Sequence, residues 1–333
     1  MTDVKVLVTG SSGFLGSRFV REAASRGHEV HGLDLKPSKP ELEGFTECAC
    51  DVTSPNDVKR AFEAVRPEAV VHCAAALAQF VRNEERMHHV NVMGTRNVLK
   101  AAQDAGASRF VFLSSVEVYG VNVPVPCPED APLRPVCRYG RDKLESERDC
   151  HQAAEESGLQ VVVFRPPTIS GPGQNEPSLL GHVKAAHRGK GVLLPGGGRT
   201  RLQMVDVRDA CDAILRALEV PAAVGETFNL GSDDVPPFRE VVKALYDRAG
   251  KDPKIRSLNP RLARFLVRVL HKLRLSPVEP QHLEIVLRDY VFDASKAKRV
   301  LGWRPKRGDV QSAVDTYDWY VTEVLGEAPS GEG

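Results

Sequence analysis

Hydrophobic positions along the chain fall into two rhythms. Short apolar runs at Val4–Val8, Glu29–Asp34, Val70–Ala74, Phe110–Ser114 and Val161–Phe164 are nearly continuous and rich in valine. A strand that is apolar at every position is buried on both faces, as in a parallel sheet covered by helices. Between these runs lie Leu15–Ser25, Pro55–Val65 and Val90–Ala105, where apolar residues recur at helical spacing and predict one buried stripe each. The β-α-β-α alternation predicts an α/β fold with a doubly wound parallel sheet.

After about Arg165 the rhythm breaks. Proline and glycine crowd RPPTISGPGQNEP and LLPGGG, which read as loops leaving the carboxyl edge of the sheet, where open α/β sheets bind ligands. The expected organisation is a core over 1–165 and a smaller substrate-binding lobe over 166–325, interleaved with the last core strands. The tail 326–333, GEAPSGEG, is expected to be disordered because it has almost nothing to bury.

Composition narrows the picture. The chain has 333 residues, 42% hydrophobic and 27% charged, within the ordinary globular range. A net charge of +1 gives no whole-chain electrostatic case for nucleic acid. The seven cysteines are odd in number and scattered, without a CxxC pair. They read as reduced core thiols and hence a cytoplasmic protein. MTDVKVLVTG runs directly into a strand and lacks the regions of a signal peptide. No apolar run approaches the ~20 residues that span a bilayer.

VKVLVTGSSGFLGSRFV is a strand, a glycine-rich turn and a helix start. Gly10 lets the chain turn off the strand, Gly13 leaves room for a pyrophosphate, and Gly16 lets helix and strand pack closely. The helix N-terminus then offers free N–H groups to phosphate. The next predicted strand ends in Asp34. A carboxylate there accepts from a ribose 2′-OH and repels a 2′-phosphate, which favours NAD over NADP.

In RYGRDKLESERD, Tyr139 and Lys143 stand one helical turn apart. Proton transfer at a secondary alcohol needs a phenol poised well below its ordinary pKa near 10. A lysine ammonium on the same face would lower it.

Taken together, TGSSGFLG (9–16), Asp34, CDV (50–52), HCAAA (72–76), NVMGTRNVL (91–99), SSVEVYG (114–120), YGRDK (139–143), RPPTISGPG (165–173) and AKRVLGWRP (297–305) resemble the extended short-chain dehydrogenase/reductases, the NAD-dependent epimerase/dehydratase family. The resemblance covers about residues 4 to 320 and implies a Rossmann-type core. It implies NAD held by Gly10, Ser12, Gly13, Phe14, Leu15, Asp34, Asp51, Val52, Ala74, Ala75, Asn91, Ser114, Tyr139, Lys143, Pro166 and Pro167. Asp51 and Val52 would sit at the adenine, Phe14 and Leu15 by the pyrophosphate, and Pro166 and Pro167 near the nicotinamide. Ser115 takes the place of the family's catalytic serine or threonine, beside Tyr139 and Lys143. Tyr119 would be structural. Family members usually dimerise through helices that match roughly 84–105 and 141–157 here, which implies a homodimer built on a four-helix bundle.

The substrate pattern is mixed. Thr168 stands where nucleotide-sugar enzymes of this family carry asparagine, and their diphosphate-binding arginine element before LGW is missing. Arg201, however, matches a basic position that relatives place at the substrate phosphate. Glu117 matches the glutamate of the dehydratase D-E and decarboxylase S-E pairs, whereas Val116 replaces the first member. Glu117 alone can orient a hydroxyl or take a proton beside a transient ketone. The expected substrate contacts are Ser115, Glu117, Thr168 and Arg201. The leading expectation is NAD-dependent hydride transfer at a secondary alcohol of a nucleotide-activated sugar. The alternatives are a sterol-like dehydrogenase of a bulky apolar alcohol and a non-catalytic NAD sensor.

Residues 259–277 add a basic amphipathic helix. Leu262, Phe265, Leu266, Val269, Leu270 and Leu273 share one face, and Arg261, Arg264, Arg268 and Lys272 the other. Such a helix can lie on a membrane through 260–275. The expectation taken here is a lid of the small lobe with a solvated outer face. His72, His88, His89 and His271 have no metal-ligand spacing, so no metal is expected.

Overall fold

The computed structural model describes residues 4–38, 42–77, 81, 83–273 and 280–328. Most of the expected disordered tail lies outside the described residues. The chain opens with β1 (Lys5–Thr9), α1 (Phe14–Ser25), β2 (Glu29–Asp34), β3 (Phe45–Ala49), α2 (Pro55–Val65) and β4 (Ala69–His72). It continues through α3 (Glu84–His88) and a π-helical turn, His89–Met93, into α4 (Gly94–Asp104). Then come β5 (Arg109–Leu113), α5 (Arg138–Ser157), β6 (Gln160–Arg165), β7 (Thr168–Ser170), α6 (Pro177–His187), β8 (Val192–Pro195), β9 (Met204–Asp206) and α7 (Val207–Glu219). The last elements are β10 (Thr227–Asn229), α8 (Phe238–Arg248), β11 (Ile255–Leu258), α9 (Pro260–Lys272), α10 (Pro280–Val286), α11 (Ser295–Leu301) and α12 (Asp309–Trp319).

Seven strands form one sheet in the order β10-β6-β5-β4-β1-β2-β3, with every pairing parallel. The order reverses between β1 and β4, so a crevice opens at their carboxyl ends. Continuous apolar strands follow from burial on both sides. Val6, Val8, Val111 and Leu113 join a core with Phe19 of α1 and Ile214 of α7. Leu7, Phe110 and Phe112 face the opposite core, with Phe62 of α2, Leu99 of α4 and Cys150 of α5.

Local chemistry sets the element ends. Ser54 caps α2, accepting from the Asp57 N–H at 3.4 Å, and Pro55 occupies the first turn, where its missing N–H costs nothing. The late elements divide between two cores. Helix α7, β10 and Trp303 complete the first core, whereas α6, α8 and α12 enclose a separate one around Leu245, Tyr246 and Tyr317. All seven cysteines are free, and five of them are buried. Among the described residues no helix is long and apolar enough to cross a membrane.

Candidate active site

The turn after β1 is shaped by its glycines. Gly10 has φ +71°, and a Cβ there would come within 2.8 Å of the Ala74 backbone nitrogen. A Cβ on Gly16 would lie 2.0 Å from the Gly10 carbonyl oxygen, so α1 can meet β1 only at glycine. Gly13 is the N-cap of α1, with no side-chain cap and no acid in the first turn. The leading N–H groups of α1, at Phe14 and Leu15, therefore face the crevice as an anion cradle. Phe14 also reaches the later loop, where a Cβ on Gly173 would lie 3.5 Å from its ring.

Asp34 accepts from the backbone N–H of Ser12 at 3.2 Å and of Lys36 at 2.9 Å. Beside it stands Glu47, which sequence reasoning missed. Its carboxylate accepts from the hydroxyls of Ser11 at 2.5 Å and Ser12 at 2.8 Å. Parallel pairing of β2 with β3 sets Gly32 opposite Glu47. The available signal was the short run FTECA, too polar to stand out as a buried strand. Two acids at this edge suit a free ribose and disfavour a 2′-phosphate.

The remaining cradle residues follow the carboxyl edge. Asp51 accepts from the N–H and hydroxyl of Thr53, at 2.9 and 2.7 Å, and Val52 is buried against Gly94. Ala74 is half-buried and Ala75 exposed. Asn91 is buried and clamps the next residue, accepting from the Ala76 N–H at 2.7 Å and donating to its carbonyl at 3.0 Å. Pro166 and Pro167 are buried, and the Pro166 carbonyl accepts from the Val116 N–H at 3.2 Å. Ser114 is different. Its hydroxyl is committed to buried Glu147, which also binds Arg165 in a two-point pair at 2.9 and 2.7 Å, so only its backbone remains for a cofactor. These residues fit an adenine dinucleotide: a cradle that a Cβ would fill, a free helix N-terminus and paired ribose acids.

Beyond β5 lies the edge that carries the expected catalytic residues. Ser115 begins the tight turn Val116–Val118, and its Oγ accepts from the Glu117 N–H at 3.2 Å. That leaves its own proton for a ligand oxygen. Helix α5 starts directly against this turn: a Cβ on Gly140 would lie 2.6 Å from the Glu117 carbonyl oxygen. Tyr139 is thereby carried to the turn that follows Ser115, close enough to Glu117 for its carboxylate to act on the phenol. Tyr119 lies in the core instead, donating to Asn229 at 2.7 Å and accepting from Arg165 at 2.8 Å.

The electrostatics correct one expectation. Lys143 donates to the Leu113 carbonyl at 2.6 Å, with its ammonium 5.7 Å from the centre of the Tyr139 ring. Burial, followed by the nearby Glu117 carboxylate, pushes the Tyr139 phenol above its ordinary value rather than below it. Burial likewise pushes Lys143 down to about 8. Desolvation here outweighs the attraction of an ammonium already engaged by a carbonyl.

Glu117 has unexpected company. Burial raises its carboxyl, but His282 and the Cys137 thiol more than offset this, so it titrates below its ordinary value. The Cys137 thiol donates to it at 2.8 Å, and His282 Nε2 lies 3.4 Å away. The donor atoms of Glu117, Cys137 and His282 all lie within 4.8 Å of one another. Nothing in the sequence links a histidine of α10 to this edge. Of the other substrate positions, Thr168 is exposed at the start of β7, and Arg201 pairs with Asp289, Nε to Oδ2 at 2.8 Å. His72 is a core residue, bonded to Thr9 at 2.6 Å and Thr95 at 3.0 Å. Burial lowers it to about 3, so it stays neutral.

Residues 6–231 match the model of the NAD dependent epimerase/dehydratase family. The chain belongs to this family. It is an NAD-dependent enzyme of the extended short-chain class. An uncharacterized protein, y4nG, of Sinorhizobium fredii is 30% identical over 318 residues, covering 94% of this chain and 78% of that protein. A dTDP-glucose 4,6-dehydratase of Xanthomonas campestris is 29% identical over 338 residues, covering 95% and 93%. Among solved structures, a UDP-glucose 4-epimerase of Thermotoga maritima with UDP-glucose superposes with a TM-score of 0.79 at 27% identity, covering 96% of this chain and 99% of that one.

Proposed function

We propose that the enzyme acts on a nucleotide-activated sugar, oxidising one secondary alcohol to a transient ketone and changing a neighbouring bond before the hydride returns. The carrying observation is Glu117, held as a carboxylate by Cys137 and His282 beside Ser115 at the carboxyl end of β5, and close enough to Tyr139 to act on its phenol. Bound NAD+ would supply the hydride acceptor and a cationic ring at this edge. With that cationic ring beside it, Tyr139 would act as the phenolate that takes the hydroxyl proton and, as the phenol, gives it back; the burial that raises its phenol favours the return. Ser115 donates to the same substrate oxygen. Lys143, buried and donating to the Leu113 carbonyl, would hold the nicotinamide ribose. Glu117 takes a proton from the carbon next to the ketone, whose acidity the carbonyl raises, and a proton exchanged with solvent returns to the opposite face of that carbon.

Val116 offers no proton to a leaving hydroxyl, so epimerisation fits better than dehydration. Arg201 is proposed to meet the substrate diphosphate, with Asp289 as its resting partner; its side chain is 44% exposed. A cytoplasmic homodimer through α4 and α5 is also proposed. Charged pairs of Arg96 with Glu145 and Asp149 would lie on that face.

The test is turnover of UDP-, dTDP- and GDP-sugars in D2O, followed by NMR, on protein dialysed to see whether it retains NAD. The expected result is retained NAD and a product carrying deuterium at the carbon beside the former ketone. Accumulation of free NADH with an apolar alcohol, and no response to any nucleotide sugar, would overturn the reading.

A further inference from the structure

Helix α9 does not sit as its sequence predicts. Asn259 caps it, accepting from the Arg261 N–H at 2.9 Å, and Pro260 opens the first turn. An amphipathic helix normally turns its apolar stripe inward. Here the only buried residue of α9 is Ala263. Leu262, Phe265, Leu266, Val269, Leu270 and Leu273 are 48%, 63%, 38%, 38%, 39% and 60% exposed. They form one contiguous stripe rather than the scattered apolar residues of an ordinary surface. The side toward the body is used differently: Ala263 allows close approach, and Arg264 makes a two-point pair with Glu284 of α10, at 2.7 and 3.1 Å. The lid expected from the sequence is therefore not closed by its apolar face.

Charge identifies what can cover that face. Arg261, Arg268 and Lys272 are exposed on the flank of the apolar stripe. No Asp or Glu occurs between Pro260 and Leu273, in a chain whose overall charge is only +1. A partner must be apolar and negative at once. An anionic bilayer surface is both: side chains enter the acyl boundary while cations stay among the phosphates. At 13 residues, α9 is about 20 Å long, suited to lying in the interface and not to crossing it.

We propose that α9 docks this enzyme on an anionic lipid surface. Helix α10, packed behind it, carries His282 to Glu117, so the docking face and the reacting edge are one helix apart. The proposal is independent of the substrate reading and can stand or fall separately.

The experiment is co-sedimentation of the full chain, loaded with NAD, with vesicles of phosphatidylcholine alone or mixed equally with phosphatidylglycerol. Binding is expected to the mixed vesicles only, and to weaken as salt rises. Replacing Arg261→Gln and Arg268→Gln together should weaken partition about ten- to thirty-fold, and Leu266→Glu with Val269→Glu at least as much. NAD affinity should be unchanged in both. If the glutamate variant loses NAD binding, the glutamine variant, which leaves the apolar stripe intact, decides. Absence of partition, or partition indifferent to these changes, overturns the proposal. So does concentration-dependent self-association by light scattering, abolished by the glutamate pair and unaccompanied by vesicle binding, because it would identify a second copy as the occupant.

Discussion

His282 Nε2 stands 3.4 Å from Glu117 Oε2, although one residue follows β5 and the other belongs to α10. The contact offsets the burial that would otherwise raise the carboxyl. Removing it should let the carboxyl titrate higher. In His282→Ala, the acid limb of kcat/KM should move to higher pH, with the plateau activity less affected. Glu117→Gln should retain NAD and lose solvent deuterium incorporation by about 100-fold or more, the typical scale of lost general-base catalysis. An unchanged acid limb in the histidine variant would show that His282 has no bearing on the carboxylate.

The two tyrosines near this edge should separate cleanly. Tyr139→Phe removes the proton carrier and should lower kcat by about 100- to 10,000-fold while NAD affinity and melting temperature hold. Tyr119→Phe removes the buried hydroxyl that Asn229 Oδ1 and Arg165 Nη1 share, while Arg165 keeps Glu147, so it should cost about 1–3 kcal/mol of stability with kcat nearly intact. Chemical denaturation and steady-state kinetics on both variants measure the split.

Cofactor choice should depend on two acids rather than one. Asp34 lies at the end of β2, and Glu47 binds the Ser11 and Ser12 hydroxyls beside it. Asp34→Ser alone should leave part of the repulsion toward a 2′-phosphate. Asp34→Ser with Glu47→Gln should raise relative affinity for NADP by a further ~10-fold, a change of about 1.4 kcal/mol. Competitive titration of NAD and NADP reads the ratio.

Asp309 predicts a pH effect on stability far from the active site. It is buried at the start of α12, accepting from Ser232 at 2.5 Å and from the Met204 N–H at 3.2 Å. Burial pushes it up to about 7. The folded chain therefore keeps a proton that the unfolded chain releases near its ordinary value of 3.8. The resulting stabilisation is full below that value and is lost as pH rises to about 7. Asp309→Asn should flatten the decline in melting temperature between pH 4 and 7, measured relative to the parent chain.

Part of the candidate site is legible in the sequence. The glycine turn, Asp34, Ser115, Tyr139 and Lys143 are local signatures, in which short-range spacing sets the chemistry. The parallel sheet was legible because strands buried on both faces must be apolar at every position. The polar strand β3 and the three-residue strand β10 carried no such mark.

Other features depended on distance through space. Glu47 reaches Ser11 only because β3 pairs with β2, and His282 reaches Glu117 only because the last helices fold back over the sheet edge. Desolvation at Tyr139 depends on everything packed around it, which no spacing encodes. Helix α9 divides the two kinds of information most sharply. Its amphipathic pattern is written in the sequence, but which face meets the protein was decided by Ala263 and the Arg264–Glu284 pair, contacts that exist only in the folded chain.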